Sequence, residues 1–325
     1  MDDAAIEQAV VVLKRGGLVA FPTETVYGLG ADASNPAAIR KLYEAKGRPG
    51  DHPVIVHLAD VAQLGAWTRE LTPVARKLAA RFWPGPFTMI VKRAPHVIDA
   101  VTGGQDTVGI RIPSHPLAHR LLEKFGGGIA APSANRFGRV SATLGEHVRR
   151  EFGDAVDFVF DEGSCDVGIE STIVDATGAA PVLLRPGHIT AHQIAEAAGV
   201  ALAEPSTQSP RAPGTLAAHY APATTLLVME DDLMLELAAT LTRQGQRIAV
   251  LARSAMQPLL SGLTWIAAPH DAPGYAHDLY MNLRTLDAAK CDAILVEQLP
   301  QTAEWAGIND RLQRAAAGSR SSSAP

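Results

Sequence analysis

The sequence predicts an α/β protein of two domains: a mixed-direction sheet with flanking helices, then a smaller parallel α/β unit. Three observations carry this expectation. The chain has 325 residues, and a domain usually takes about 100–200. Over residues 1–200 short apolar runs alternate irregularly with helical periodicities, which suits a sheet of mixed direction. Pro205, Pro210, Pro213 and Pro222 then gather among Ser, Thr, Gln and Gly. That is a linker composition, and beyond it strand and helix patterns alternate regularly. The expected division is a first domain over 1–200, a linker over 201–223, a second domain over 224–317 and a Ser-rich disordered tail over 318–325.

Each element has its own local reason. Ile6, Ala9, Val10 and Leu13 recur at helical spacing, and Gly16-Gly17 stops that helix. Residues 18–21 form a short apolar run that reads as a buried strand, and a Gly-containing loop is expected after it. Asn35-Pro36 reads as an N-cap followed by proline at the first helical position. That helix carries Ile39, Leu42 and Tyr43 on one face and ends at Gly47; a strand follows at 54–58. Thr72-Pro73 opens another helix, which Pro84-Gly85 closes. Residues 87–91, 107–112, 129–131, 171–174 and 182–184 are further strands, with a helix over 117–124. After the linker the pattern is strand 226–229, helix 231–244, strands 247–251 and 264–267, helix 274–289, strand 293–297 and helix 303–316.

Composition narrows the function. The chain is 47% apolar and 19% charged, so it can bury a large core. The net charge is −5 and the pI about 6.1, so nothing general favours nucleic acid. Residues 1–200 hold 20 basic and 22 acidic side chains, so the first domain is not polybasic. Cys165 and Cys291 make no C-x-x-C spacing, which argues against a zinc site or disulfide framework. The acidic start Met1-Asp2-Asp3 lacks the basic flank and apolar core of a signal peptide. No run of about 18 apolar residues occurs, so no membrane span is expected. These features read as a soluble, cytoplasmic protein.

The common phosphate and nucleophile motifs are absent. There is no G-x-x-x-x-G-K-[ST], no G-x-S-x-G and no H-E-x-x-H. Gly28-x-Gly30-x-x-Ala33 superficially fits a dinucleotide fingerprint, with Asp51 beyond it. That motif needs a strand running directly into its first glycine and a helix opening across it. Here Pro22 intervenes, and the helix begins only at Pro36.

What the sequence does contain is polar clusters at the ends of apolar strands, where α/β sheets place ligands. The first is F-P-T-E-T-V-Y-G-L-G at 21–30. The second is Lys46-Gly47-Arg48-Pro49, with Asp51, His52 and His57 following. Alone, this could be a basic helix end favoured by the helix dipole. The third is Thr107 to Pro113, with Arg111 inside an apolar run and in need of a partner. The others are A-P-S-A-N at 131–135, E-S-T-I-V-D at 170–175 and L-R-P-G at 184–187. Lys46, Arg48, Arg185 and Arg111 together with many hydroxyls suit an anionic substrate such as a nucleotide triphosphate plus a carboxylate.

These clusters, in this order, resemble the YrdC-type threonylcarbamoyl-AMP synthases in their longer two-domain form. P-T-E-T-V-Y-G-L-G, K-x-R and S-x-N carry the resemblance. It extends through the linker to Glu297 and to G-I-N-D-R-L at 307–312. Relatives without the second domain would end near residue 190. The implied fold is a YrdC-like twisted mixed sheet plus a Rossmann-like second domain. The implied reaction takes L-threonine, bicarbonate and ATP with Mg²⁺, releases pyrophosphate and leaves threonylcarbamoyl-AMP. The product would pass to a separate complex that transfers the threonylcarbamoyl group to tRNA; the resemblance leaves direct tRNA contact open and names no metal ligands. An RNA-binding module without adenylation is the alternative reading.

The resemblance also implies roles for individual residues. Lys46, Arg48, Ser133 and Asn135 would hold ATP phosphates, with Lys46 and Arg48 catalytic. Thr107, Ser141, Arg185 and His52 would contact the nucleotide. Thr25, His57, Arg111 and Ser171, with the backbone at Ala131, would hold threonine, Arg111 as the carboxylate fork. The family linker commonly reads S-P-G-M-[KR]-x-x-H-Y-A-P. Here it is A-P-G-T-L-A-A-H-Y-A-P at 212–222. His219 and Tyr220 are therefore expected to touch nucleotide from a lid, without the family's basic residue.

Overall fold

The structure is a computed structural model that describes residues 3–163 and 165–321. It divides into two compact units, Met1–Phe137 with Ala142–Thr215, and Gly138–Ser141 with Leu216–Pro325.

In the first unit α1 (Asp3–Lys14) buries Ile6, Ala9, Val10 and Leu13 as its periodicity requires. β1 (Val19–Phe21) pairs antiparallel with β2 (Gly28–Asp32). Here the structure departs from the expected glycine-containing loop, because 28–32 is a buried strand. A Cβ on Gly30 would stand 2.8 Å from the Phe21 ring and 2.9 Å from Ile129. Glycine, a weak strand former, is what this crowded spot admits. α2 (Pro36–Lys46) starts where Asn35 caps Ala37 and Ala38 and stops at Gly47, which adopts φ 61°.

The chain continues through β3 (Ile55–His57), α3 (Pro73–Phe82), β4 (Phe87–Lys92), α4 (Asp99–Thr102), β5 (Thr107–Arg111), α5 (Pro116–Phe125) and β6 (Ile129–Ala130). Then come α6 (Gly145–Phe152), β7 (Phe158–Val159), β8 (Thr172–Asp175), β9 (Val182–Arg185) and α7 (Ala191–Ala198). The nine strands form one sheet in the order β7-β1-β2-β6-β3-β5-β4-β8-β9. β3 and β5 run parallel, as do β4 and β8, while β2–β6 and β4–β5 are antiparallel. This is the mixed sheet the irregular alternation predicts. Both faces are covered. Leu18 and Ala20 join the larger core with Leu29, Val56 and Ile110. Val19 and Phe21 join α1 and α5 on the opposite side, as period-2 alternation demands.

The linker divides. Residues 201–215 belong to the first unit: Arg211 donates to the Gly103 carbonyl at 2.7 Å, and Ala212 is buried beside Ile55, Ile90 and Ile173. Residues from Leu216 onward belong to the second unit.

The second unit holds β10 (Leu226–Met229), α8 (Asp231–Arg243), β11 (Ile248–Ala252), β12 (Leu263–Ala267), α9 (Ala272–Ala288), β13 (Ala293–Glu297) and α10 (Ala306–Ser321). Its four strands are all parallel, in the order β10-β13-β11-β12, as the regular alternation predicts. Met234 and Ala238 of α8 pack on Ile248, Val250 and Leu295. Glu297 pins the loop after β11, accepting from the N–H groups of Arg253, Ser254 and Ala255 at 2.7, 2.8 and 3.0 Å. Residues 318–321, expected in a disordered tail, continue α10 instead. Ser319 explains this: its hydroxyl is buried, accepting from Leu226 N–H and donating to the Ala316 carbonyl. Residues 322–325 lie outside the described residues. No helix among the described residues is long and apolar enough to cross a membrane.

Candidate active site

The clusters marked in the sequence converge within the first unit. Lys46 is the last residue of α2, and the left-handed Gly47 turns the chain away directly after it. Its ammonium, buried from water, donates to the Ser133 carbonyl at 2.6 Å and to the Asn135 carbonyl. K-x-R and S-x-N, 87 positions apart, are thus joined by one side chain. Burial first, and Arg48 second, hold the Lys46 ammonium down to about 7, with Glu151 opposing. Arg48 donates to the Pro53 carbonyl at 2.7 Å and lies over the Phe137 ring at 5.5 Å. His52 meets the same ring edge-on at 5.4 Å. Burial, then Arg48, lower its pKa. Lys46, Arg48, His52, Ser133 and Asn135 therefore share one neighbourhood.

A second group gathers at Arg111, the last residue of β5. His57 is its register partner on β3, and Thr107 shares its strand face. Arg111 donates through Nη1 to Thr25 Oγ1 at 2.8 Å and through Nε to the Gly85 carbonyl at 3.3 Å. Its charge partner is Glu24, 2.8 Å away. Glu24 is a site residue the sequence reading passed over, although it stands inside the quoted P-T-E-T motif. A carboxylate in a buried loop, in a chain with a buried arginine needing a partner, was the available signal. The loop is self-supporting: Thr23 Oγ1 donates to the Val26 carbonyl at 2.7 Å and meets Thr25 Oγ1 at 2.8 Å. Burial first, and Arg111 second, push His57 down to about 3, so it is a neutral imidazole at physiological pH. Ala131 adjoins from the β6 side, its N–H donating to the Ile55 carbonyl.

A third group links Ser171 and Arg185. Arg185 ends β9 and donates to the Ser171 carbonyl from Nε and Nη2, at 3.1 and 2.9 Å. Ser171 Oγ lies 2.8 Å from Thr88 Oγ1. The Pro86 carbonyl, next to the Gly85 held by Arg111, accepts from Thr172 N–H at 3.1 Å. The second and third groups are thus neighbours across the β4–β8 junction.

Ser141, His219 and Tyr220 belong to the second unit. The Ser141 carbonyl accepts from Arg284 Nε at 3.1 Å. Tyr220 adopts φ 60° and is buried, with His219 4.2 Å away edge-on, Tyr280 stacked at 5.9 Å and the Arg311 guanidinium at 5.2 Å. Among the described residues no cluster of three His, Cys, Asp or Glu side chains could hold a metal. The groups gathered around Lys46 and Arg111 are cations, hydroxyls and carbonyls, with Glu24 already facing Arg111. The cations and hydroxyls suit phosphate and carboxylate oxygens, and the Ser133 and Asn135 carbonyls already accept from Lys46, so the set does not match a protein-held divalent ion.

Comparison with known proteins follows the same two-part division. Residues 11–187 match the family described as "Telomere recombination". Residues 189–317 match the one described as "Threonylcarbamoyl-AMP synthase, C-terminal domain". The threonylcarbamoyl-AMP synthase of Bacillus subtilis is 39% identical over 326 residues, covering 98% of this chain and 94% of its own length. The crystal structure of Pyrococcus abyssi Sua5 complexed with L-threonine has a TM-score of 0.90 at 34% identity, covering 98% of this chain and 96% of that one. A shorter relative, the putative threonylcarbamoyl-AMP synthase of Mycobacterium tuberculosis, is 40% identical over 195 residues. Those are 60% of this chain and 89% of the relative.

Proposed function

The chain belongs to the family of long, two-domain threonylcarbamoyl-AMP synthases, and on that premise we propose that it joins L-threonine, bicarbonate and ATP into threonylcarbamoyl-AMP with release of pyrophosphate. The observation that carries this reading is the Lys46 clasp on the Ser133 and Asn135 carbonyls. It sets two cations beside a loop of small residues, where a triphosphate can approach the backbone. Threonine would enter by its carboxylate at Arg111, with Thr25, His57, Ser171 and the Ala131 backbone around it. Its amine and bicarbonate form a carbamate, and a carbamate oxygen attacks the α-phosphorus.

No covalent enzyme intermediate is needed, so positioning and charge stabilisation supply the rate. Lys46, Arg48 and Arg185 oppose the negative charge that develops on the phosphate oxygens. His52, Thr107, Ser133 and Asn135 orient the nucleotide. Ser141, His219 and Tyr220 are assigned to the nucleotide by family resemblance alone. Mg²⁺ would arrive on the triphosphate oxygens of ATP, its common mode of binding to phosphate substrates. The mixed anhydride is then consumed by a transferase acting on tRNA.

The test is pyrophosphate release from ATP by the purified chain. Release that requires both threonine and bicarbonate is the expected result. ATP turnover indifferent to either one overturns the reading. The RNA-binding alternative, which predicts no such release, gains nothing from a net charge of −5.

A further inference from the structure

Arg111 and Glu24 form a buried ion pair that leaves bonding capacity on both partners. Their side chains are each 5% exposed, with Arg111 Nη2 2.8 Å from Glu24 Oε1. Yet that approach is not aligned as a hydrogen bond, and among the described residues neither Glu24 carboxylate oxygen receives one and Arg111 Nη2 makes none. Nε and Nη1 of the same guanidinium are already engaged with Gly85 and Thr25. Buried polar atoms are costly when left unsatisfied. What remains is one cationic donor and one anionic acceptor, side by side and out of water. That is the complement of a zwitterion: a carboxylate fits Nη2 and an ammonium fits the Glu24 oxygens.

We propose that Glu24 binds the ammonium group of the amino-acid substrate and takes its proton, which makes the amine a nucleophile. This rests on the reading of the chain as an enzyme that carboxylates threonine. The ammonium passes one proton to the Glu24 carboxylate, leaving a neutral amine and a carboxylic acid. The amine lone pair forms the C–N bond at the carbon of bicarbonate. The bicarbonate C–OH bond breaks, and that hydroxide leaves as water with the second amine proton. One threonine ammonium, one bicarbonate and one carboxylate thus become one carbamate, one water and one carboxylic acid. Glu24 returns its proton to solvent when the product leaves.

The surroundings fit this role. Glu24 is faced by Arg111 from β5, by His115 at the start of α5, and by Cys165 and Asp166 from the loop after β7. His57 adjoins Arg111 from β3. Burial pushes the Cys165 thiol up to about 12, and His57 is neutral, so neither competes for the substrate proton at physiological pH. Arg111 carries the positive charge among these groups and stands 2.8 Å from Glu24, so the buried carboxylate has a counter-charge beside it.

The experiment is Glu24→Gln in the full chain, followed by threonine-dependent pyrophosphate release between about pH 7 and about pH 9.5. Glutamine keeps the size and an acceptor oxygen but cannot take the proton. The expected rate falls about 100-fold near pH 7, a general-base magnitude. Relative to the unmodified chain at the same pH, it recovers at least about tenfold by pH 9.5, where solution itself supplies neutral amine. An unchanged rate, or a loss by one constant factor at every pH, overturns the proposal, because a merely structural role predicts no pH rescue. If Glu24→Gln does not fold, calorimetry on the unmodified chain decides. L-threonine should bind at least about tenfold more tightly than the analogue with hydroxyl in place of the amine, and equal affinities overturn the proposal. An unmodified chain that releases no pyrophosphate with threonine and bicarbonate refutes the enzyme reading instead, a result distinct from an active chain indifferent to Glu24→Gln.

Discussion

An ammonium sealed from water gives up its proton more readily, and Lys46 is held down to about 7 by burial and by Arg48. The unfolded chain keeps an ordinary lysine near 10.4. Between about pH 7 and that value the unfolded state binds more protons, so this lysine's contribution to stability rises with pH there. Below pH 7 the cost of burying its charge is fully present. A phosphate placed beside Lys46 reverses the preference and favours the ammonium. ATP binding above pH 7 should therefore take up a proton and weaken as pH rises. Calorimetry at pH 8 in buffers of different ionisation enthalpy checks this, and Lys46→Met should abolish the uptake. Lys46→Ala and Arg48→Ala should each lower pyrophosphate release by about 10²–10³-fold, the loss of one charge-stabilising donor, with the fold kept by circular dichroism. Near-normal release by both variants would remove these cations from the reaction. At this scale the sequence shows residue types better than pairings. Lys46, Arg48, Ser133 and Asn135 stand out as motifs, and the structure joins them. Arg111 announces a missing partner, but nothing along the chain ties it to Glu24, 87 positions away, because only the closing of β1 and β5 into one sheet makes them neighbours.

Elements with strong caps and clear periodicity are legible, and those defined by tertiary crowding are not. Asn35-Pro36, Thr72-Pro73 and Gly47 mark helix ends where the structure has them. α7 carries a Thr190–Gln193 capping box and a Gly199 stop, a signal present in the chain although the expected elements do not include this helix. α6 has no side-chain cap at Leu144 and is mostly polar. Apart from Leu29, β2 is composed of residues that avoid strands, and packing against Phe21 makes it one. The turn after α4 shows the same tertiary control. Gly103 adopts φ 61°, and a Cβ there would stand 2.2 Å from the Asp51 carbonyl oxygen and 3.2 Å from Pro53 N. Its carbonyl also accepts from Arg211. Gly103→Ala adds left-handed strain of about 1–2 kcal/mol to a backbone clash that must displace residues 51–53, beside His52. We expect a Tm lowered by several degrees and weaker ATP binding. Gly104→Ala is the control: it shares the positive φ, 77°, but a Cβ there meets nothing within 4 Å. It should lose stability alone and leave ATP affinity intact. Equal effects on ATP affinity would show that the Asp51 contact does not shape the proposed nucleotide site at His52.

The two units explain where a cut in the chain should and should not matter. Composition locates the proline-rich stretch but not its allegiance, because prolines report stiffness and not what they pack against. The structure assigns 201–215 to the first unit: Arg185 donates to the Pro213 carbonyl at 3.0 Å, and Arg211 N–H donates to Gln105 Oε1 at 2.7 Å. A chain ending at 200 loses both bonds and the buried Ala212, so it should melt below a chain ending at 215. The second unit in turn includes 138–141, where the Gly138 carbonyl accepts from Ala221 N–H at 2.8 Å and Arg284 holds the Val140 and Ser141 carbonyls. This segment follows Ser133 and Asn135 almost directly. Removing the second unit therefore frees the chain just beyond the residues that grip Lys46. Ångström-scale misplacement of catalytic groups can cost about 100-fold in rate. A chain ending at 215 should fold cooperatively, because the first unit has its own sheet and core. Its pyrophosphate release should be slower than that of the full chain by about ten- to a hundredfold. Thermal melts, ATP affinity and product yield measured on chains ending at 200, 215 and 325 separate these effects. Full-rate synthesis by the chain ending at 215 would show that 138–141 holds its position unaided. Failure of that chain to fold would show that the first unit depends on the second for stability.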